Sequence, residues 1–486
     1  MKKRVLALAL AGCLLFGGVG CQGEQEKIYS QAMGESSASQ EEAQESGEEL
    51  SGELTILSVY DFALDLNTEQ FEKLHPGVKI NVEVGVESIG DYGKAEPWDQ
   101  FMEELATRLM SGDGPDILLD PGVFTPKQYH QSGVAYNLLE WMDSDPEFHR
   151  EDYFENILEA YEVEGAQYAL PTSIGLTPLY LNKTLCGAAG VSYSPWDIVD
   201  YKELLDIWRE ADSQGLLDPA FTLEYEDQKG PSQLFYSQEM PTFIDGKAGT
   251  CSFDSPEFVQ YLEDTKSIPS KRTMADGALT LGGPDLVEAF GNANQGKNTS
   301  LLLLVPADLG SLATVMDVPE NVVGPLVLGS SGGGVFCSSS CLVVPTSCAD
   351  PDLAWEYLKF CVAPVEEASY YSIYQPEGSV DISHGFFPVA KQNLAAYGEV
   401  YAKAAVYQKT HENIEGFDPT TMDSAVPEGL FSQLEQVFSS YTRGDTLGRV
   451  GDILFPVLQQ YYDTDTLSAQ ECAEELQGKV EIWLSE

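Results

Sequence analysis

The stretch from Leu54 to Val84 narrows what this chain folds into more than any other part of it. Leu54-Thr-Ile-Leu-Ser-Val-Tyr60 is a nearly unbroken apolar, β-favouring run, as expected of a strand covered on both faces. Val78, Ile80, Val82 and Val84 alternate with Lys79, Asn81 and Glu83, which is the pattern of a half-buried strand. Between them Asn67-Thr-Glu-Gln70 reads as a helix start, Phe71 and Leu74 share one face, and His75-Pro-Gly77 ends the segment. Strand, helix, strand in that order is a right-handed parallel unit. The alternation continues. Trp98, Phe101, Met102, Leu105, Ala106 and Leu109 line one helical face, and Gly112-Asp-Gly-Pro115 stops that helix before the short strand Asp116–Asp120. Tyr168–Pro171 and Leu179–Asn182 are extended, Tyr201–Ala211 is helical and Leu342–Pro345 is a strand. Asp350 and Pro351 supply an N-cap and an N1 proline to a helix that buries Leu353, Ala354, Tyr357, Leu358 and Cys361. The fold class is therefore α/β.

The N-terminus sets the compartment. Lys2, Lys3 and Arg4 precede an uncharged run from Val5 to Gly20 that is short and glycine-rich for a membrane span, so residues 1–20 read as a secretory signal peptide. Gly18-Val-Gly-Cys21 ends it as a lipobox would, making Cys21 the lipidation site. Leu10-Ala-Gly-Cys13 fits the lipobox letters better, but cleavage there leaves a minimal apolar region and exposes Leu14, Leu15 and Phe16. From Cys21 the chain runs to residue 51 as an acidic Glu-, Ser- and Gln-rich tether that buries too little to order itself, so lipid on Cys21 would hold the rest at a membrane surface. Residues 52–486 are too many for a single core and imply two lobes. A formal charge of −52 leaves no phosphate-neutralising surface, which excludes nucleic acid as a partner. Nine cysteines include Cys13 and Cys21; the other seven are an odd number, so at least one is a free thiol even if disulfides form, and Cys337 and Cys341 read as buried free thiols. Cys337 and Cys341 have a spacing zinc sites use but lack nearby companions, and Asp463–Ser468 lacks the glycine and distant glutamate of a calcium loop, so no metal and no cofactor is expected.

Five stretches resemble the extracellular solute-binding proteins of family 1, the maltodextrin-binding-like type. Phe71-Glu-Lys-Leu-His-Pro-Gly-Val-Lys-Ile80 resembles the family's F-x-K-x-x-P-G step from helix to strand, and Leu109-Met-Ser-Gly-Asp-Gly-Pro-Asp-Ile117 its G-x-x-P-D turn. Gly165-Ala-Gln-Tyr-Ala-Leu-Pro171 followed by Leu179-Tyr-Leu-Asn-Lys183 is similar to its hinge region, Ala354-Trp-Glu-Tyr-Leu-Lys-Phe360 to its A-W-x-F-L-K-F helix, and Gly385-Phe-Phe-Pro388 to a G-x-x-P loop. Residues 215–335 match poorly apart from traces such as Asp245-Gly-Lys-Ala248. The resemblance implies a two-lobed periplasmic-binding-protein-like fold of type II. Its hinge crossings would fall near Pro171–Leu176, Ser331–Leu342 and Tyr371–Asp381. The N-terminal lobe would hold 52–170 plus 342–372, and the C-terminal lobe 171–341 plus 373–486. It further implies a monomer that closes on a small solute, a carbohydrate or oligosaccharide, between its lobes and delivers it to ABC permease subunits at the extracellular face of the cytoplasmic membrane.

Ligands of doubly wound sheets meet the carboxyl ends of strands. Tyr60, Asp61 and Asp120 stand there and are the candidate solute contacts of the first lobe; capping of the following loops is the competing role for Asp61 and Asp120. Thr172, Ser173 and Tyr180 follow the first hinge and either face the cleft or pack within strands. Trp98, at a helix start after Pro97, is placed to stack on a sugar ring or to join the core, whereas Trp208 and Trp355 sit on helical patterns as core residues. No catalytic residues are assigned: the sequence has no G-x-S-x-G elbow, no phosphate loop and no H-E-x-x-H, and Ser330-Ser-Gly-Gly-Gly334 reads as a hinge or a turn. A surface glycosidase using paired carboxylates, and a sensor or adhesion lipoprotein on the same scaffold, are the competing functions.

Overall fold

The computed structural model describes residues 50–58, 65–85, 95–120, 122, 124–176, 179–216, 239–266, 303–304, 318, 320–330, 333–336, 341–363, 387–394, 429–441, 443–444, 450–462 and 464–485. The signal peptide, Cys21, the tether up to residue 49, Tyr60, Asp61, Cys337 and the expected crossing at Tyr371–Asp381 lie outside the described residues, and Ser51, placed in the tether on the sequence, opens the first strand.

The first lobe is built as its patterns dictate. β1 (Ser51–Ser58) pairs in parallel with β2 (Gly77–Val84) and with β3 (Ile117–Asp120). The helix α1 (Asp65–Leu74) connects β1 to β2 and starts at Asp65, ahead of the expected Asn67, so Thr68 is buried within the helix. The helix α2 (Ala95–Ser111) connects β2 to β3 and buries Phe101, Met102, Leu105 and Leu109 of the stripe read from the sequence, with Ala106 half-buried. After β3 come the short helices α3 (Pro126–Ser132), α4 (Leu138–Ser144) and α5 (Glu155–Glu159). The hairpin β4 (Glu162–Val163) with β5 (Ala166–Gln167) follows, then β6 (Leu170–Pro171).

The chain then leaves this sheet. β7 (Ser173–Ile174) and β8 (Leu179–Asn182) lead through α6 (Lys183–Ala188), β9 (Ile198–Val199) and α7 (Tyr201–Ser213). Next are α8 (Met240–Phe243), the hairpin β10 (Ile244–Asp245) with β11 (Thr250–Cys251), and α9 (Pro256–Lys266). β12 (Leu303–Leu304), β13 (Val322–Ser330) and β14 (Gly333–Phe336) complete this excursion, with Ser330 opposite Gly333, so the glycine-rich segment joins two antiparallel strands.

β15 (Cys341–Val343) returns to the first sheet and inserts antiparallel between β3 and β6, giving the order β2-β1-β3-β15-β6. The helix α10 (Pro351–Val362) follows; its Asp350 side chain accepts from the Leu353 N–H, and its Leu353, Ala354, Tyr357, Leu358 and Cys361 are buried, as expected. β16 (Phe387–Pro388), α11 (Leu430–Ser440), β17 (Arg443–Gly444), α12 (Val450–Tyr462) and α13 (Ala469–Ser485) end the chain. The second sheet runs β12-β8-β13-β14-β17, with β9 beside β13.

Two hydrophobic cores result. One gathers both sides of the first sheet; the other gathers α7, α9, α12 and α13 against the second. Residues 387–394 and α11, grouped with the second lobe on the sequence, bury Phe387, Val389, Leu434 and Phe438 in the first core. The reason is aromatic packing: Phe438 meets Phe154 edge-on at 5.6 Å and Phe387 at 5.4 Å between centroids. Trp355 is buried, while Trp208 is half-buried. Cys186, Cys348, Cys361 and Cys472 are buried free thiols and Cys251 a half-buried one, and Cys341 is buried.

Candidate functional site

The two α/β units meet along a seam, to which the first gives a rim of its sheet and the second one face of its sheet. On the first sheet Asp120 lies opposite Cys341, and Cys341 opposite Pro171, so the end of β3, the start of β15 and the end of β6 form one row. Two of the chain crossings, at Pro171 and at Cys341, therefore leave from this rim. Asp120 is only 3 % exposed. Its Oδ1 accepts the Gly122 N–H at 2.9 Å and its Oδ2 the Tyr129 hydroxyl at 2.7 Å. Burial, then the adjacent carboxylate, push the Tyr129 phenol well above its ordinary pKa. Asp120 thus ties the loop after β3 to α3.

Thr172 and Ser173 continue directly from that rim and are buried; Ser173 sits opposite Pro388 and Ile174 opposite Phe387. Tyr180 comes from the other side of the seam. Along β8, Leu179 and Leu181 point into the second core whereas Tyr180 joins the first. β13 behaves likewise, with Val323 and Leu326 in the second core and Val322 and Val327 in the first. Gly324 lies against the Tyr180 ring: a Cβ there would stand 2.4 Å from Tyr180 Cδ1, and its φ of +156° is one that side chains rarely adopt. Of the residues expected at the site, Asp120, Thr172 and Ser173 share the first rim and Tyr180 faces from the second sheet. Trp98 falls in the first turn of α2.

Sequence reasoning missed two features of the seam. Trp196 holds a left-handed backbone at φ +71°, unusual for a bulky residue; its N–H meets the Pro325 carbonyl at 2.6 Å and its indole N–H the Gln433 side chain at 2.9 Å. It links the loop before β9 to α11. The second is a set of contacts from α3 and α5 to the second lobe. The Lys127 ammonium donates to the Ala248 carbonyl at 2.5 Å, and Gln128 Nε2 to the Trp483 carbonyl at 3.3 Å. Lys247 returns the contact by donating to the Glu159 carbonyl. The turn Asp245-Gly-Lys-Ala-Gly249 was visible only as a family trace, because a backbone acceptor leaves no mark in the sequence.

Among the described residues no group of three or more His, Cys, Asp or Glu is placed to hold a metal ion, and no helix is long and apolar enough to cross a membrane.

Known proteins share this build. The family model for bacterial extracellular solute-binding proteins matches residues 61–368. A binding protein of Brucella abortus is 22% identical over 326 residues, spanning 66% of this chain and 71% of its own. An arabinooligosaccharide-binding protein of Bacillus subtilis is 24% identical over 300 residues, 60% of this chain and 64% of that protein. The solved structure of the sugar-binding protein MalE from Xanthomonas citri superposes with a TM-score of 0.56 at 13% identity, covering 89% of this chain and 98% of that one. That likeness shows the two-lobed type II fold, and with the family match over well more than half the sequence, this chain belongs to the bacterial extracellular solute-binding proteins.

Proposed function

We propose that this solute-binding protein captures a carbohydrate, an oligosaccharide in particular, in the seam between its lobes and delivers it to the permease subunits of an ABC importer. The observation that carries the reading is the alternation along β8: one strand serves two cores, with Tyr180 on the face that looks toward the first lobe. Asp120, Thr172 and Ser173 on the opposite rim supply carboxylate and hydroxyl groups of the kind that bind sugar hydroxyls, and Tyr60, Asp61 and Trp98 are the sequence candidates for further contacts. The arabinooligosaccharide-binding relative supports the same ligand class. Cys21 carries the lipid that holds the protein at the extracellular face of the cytoplasmic membrane.

Thermal-shift screening against arabino-oligosaccharides, maltodextrins and spermidine tests it. A sugar at about 100 times its dissociation constant raises unfolding free energy by about 2.7 kcal/mol. A shift with spermidine and none with any sugar overturns the carbohydrate reading.

A further inference from the structure

We propose that the turn Asp245–Gly249 is a solute-independent latch that holds the two lobes together across the seam. The turn is prebuilt. Asp245 Oδ1 accepts the N–H groups of Lys247 at 3.0 Å and Ala248 at 2.8 Å, and the Asp245 carbonyl accepts that of Gly249 at 2.8 Å. It is also fixed to its own lobe. Gln477 of α13 accepts the Phe253 N–H at 2.7 Å and donates to the Cys251 carbonyl at 3.3 Å, while Ile244 is buried in the second core.

The first lobe presents an equally rigid counterpart. Thr125 and Gln128 form a reciprocal capping box at the start of α3, with Pro126 in its first turn, and the Tyr129–Asp120 bond pins the helix to the rim of the first sheet. From this helix Lys127 reaches Ala248, and from the turn Lys247 reaches Glu159 at the end of α5. Each lobe gives one lysine and takes one at a backbone carbonyl, so neither acceptor has side-chain freedom to lose. Gly249 makes room: a Cβ on it would lie 2.6 Å from the Lys127 ammonium nitrogen and 2.7 Å from its Cδ, and its φ is +66°. None of these groups stands on the rims that carry Asp120, Thr172, Ser173 and Tyr180. A contact present only in the closed arrangement biases the open–closed equilibrium before any solute arrives, and by the same factor for every solute.

Small-angle scattering of the full chain without solute tests this, comparing wild type with Lys127→Met/Lys247→Met; Lys247 is exposed and Lys127 half-buried, and circular dichroism confirms that the variant is folded. The latch predicts a compact wild type and a variant with a larger radius of gyration and maximum dimension. Superimposable profiles, or a wild type already as extended as the variant, overturn it. Because no sugar is in the sample, either result leaves the carbohydrate reading untouched.

Discussion

Replacing Tyr129 by Phe and Asp120 by Ala, singly and together, measures what anchors the first rim. Tyr129 is 1% exposed and Asp120 3%, so water does not substitute for a lost partner. Tyr129→Phe removes a hydroxyl bonded to a carboxylate at 2.7 Å, a charge-assisted bond whose loss costs about 2 kcal/mol. Asp120→Ala strands two donors, the Tyr129 hydroxyl and the Gly122 N–H, and the cost rises to about 3 kcal/mol. Once the hydroxyl is gone, removing the carboxylate no longer strands the Tyr129 donor, so the double variant falls short of the sum by about 1–2 kcal/mol. Urea denaturation followed by tryptophan fluorescence reads the right lobe, because Trp141 and Trp355 pack in the first core with ring centroids 5.8 Å apart. The same pair separates scaffold from contact. If Asp120 acts by placing α3, Tyr129→Phe weakens sugar binding as Asp120→Ala does. An Asp120→Ala protein within 0.5 kcal/mol of wild type, with no coupling to Tyr129, would refute the reasoning.

Two further perturbations test other parts of the frame. Lys359 lies 2.8 Å from Asp145, 2.9 Å from Glu356 and 3.2 Å from Glu147; Lys359→Met leaves the mostly buried Asp145 with only its neutral donors and lowers stability by about 2 kcal/mol in thermal denaturation. Burial raises the Asp145 pKa, but Lys359 together with the Glu147 and Trp355 N–H groups outweighs it and holds the carboxyl below its ordinary value. The native state therefore binds fewer protons there, so this stability is present above pH 4 and is lost as pH falls through the lowered pKa; equal acid midpoints for wild type and Lys359→Met would contradict it. Gly324→Ala drives a methyl to 2.4 Å from the Tyr180 ring and 2.9 Å from the Leu179 carbonyl, so it destabilises by about 2–3 kcal/mol and weakens sugar affinity by moving Tyr180; unchanged affinity in calorimetry would show that Tyr180 is not at the site.

How much was legible depended on whether one element or two created the environment. β2 is an edge strand with a solvent face, so its alternation announced it, and Val78 is buried while Lys79 is exposed. The helix after Asp350 declared its start through the cap and its face through spacing. β8 was different: Leu179-Tyr-Leu-Asn182 is buried throughout because each face meets a different core, and a uniformly buried run does not say which residue faces which. Tyr180 was named on its position after the hinge, but its place between two cores is a tertiary fact. The same limit hid α11, whose apolar face resembles that of α12 although the two helices serve different cores.

The return of β15 between β3 and β6 has a mechanical consequence. The chain leaves the first sheet at Pro171 and re-enters it at Cys341, and both residues stand in the row that ends in Asp120, so a swing of the second lobe about these crossings would act on that row. Asp120 in turn holds α3 through Tyr129, and α3 carries Lys127 and Gln128 to the far lobe. Pivot and latch are thus joined by one buried carboxylate a few residues from each. A rotation that strains the row also moves the helix that must meet the turn at Ala248, so the two ends of the seam close together or not at all. On this geometry Tyr129→Phe, which touches neither the turn nor any solute, loosens closure in the same scattering experiment that reads the lysine variant.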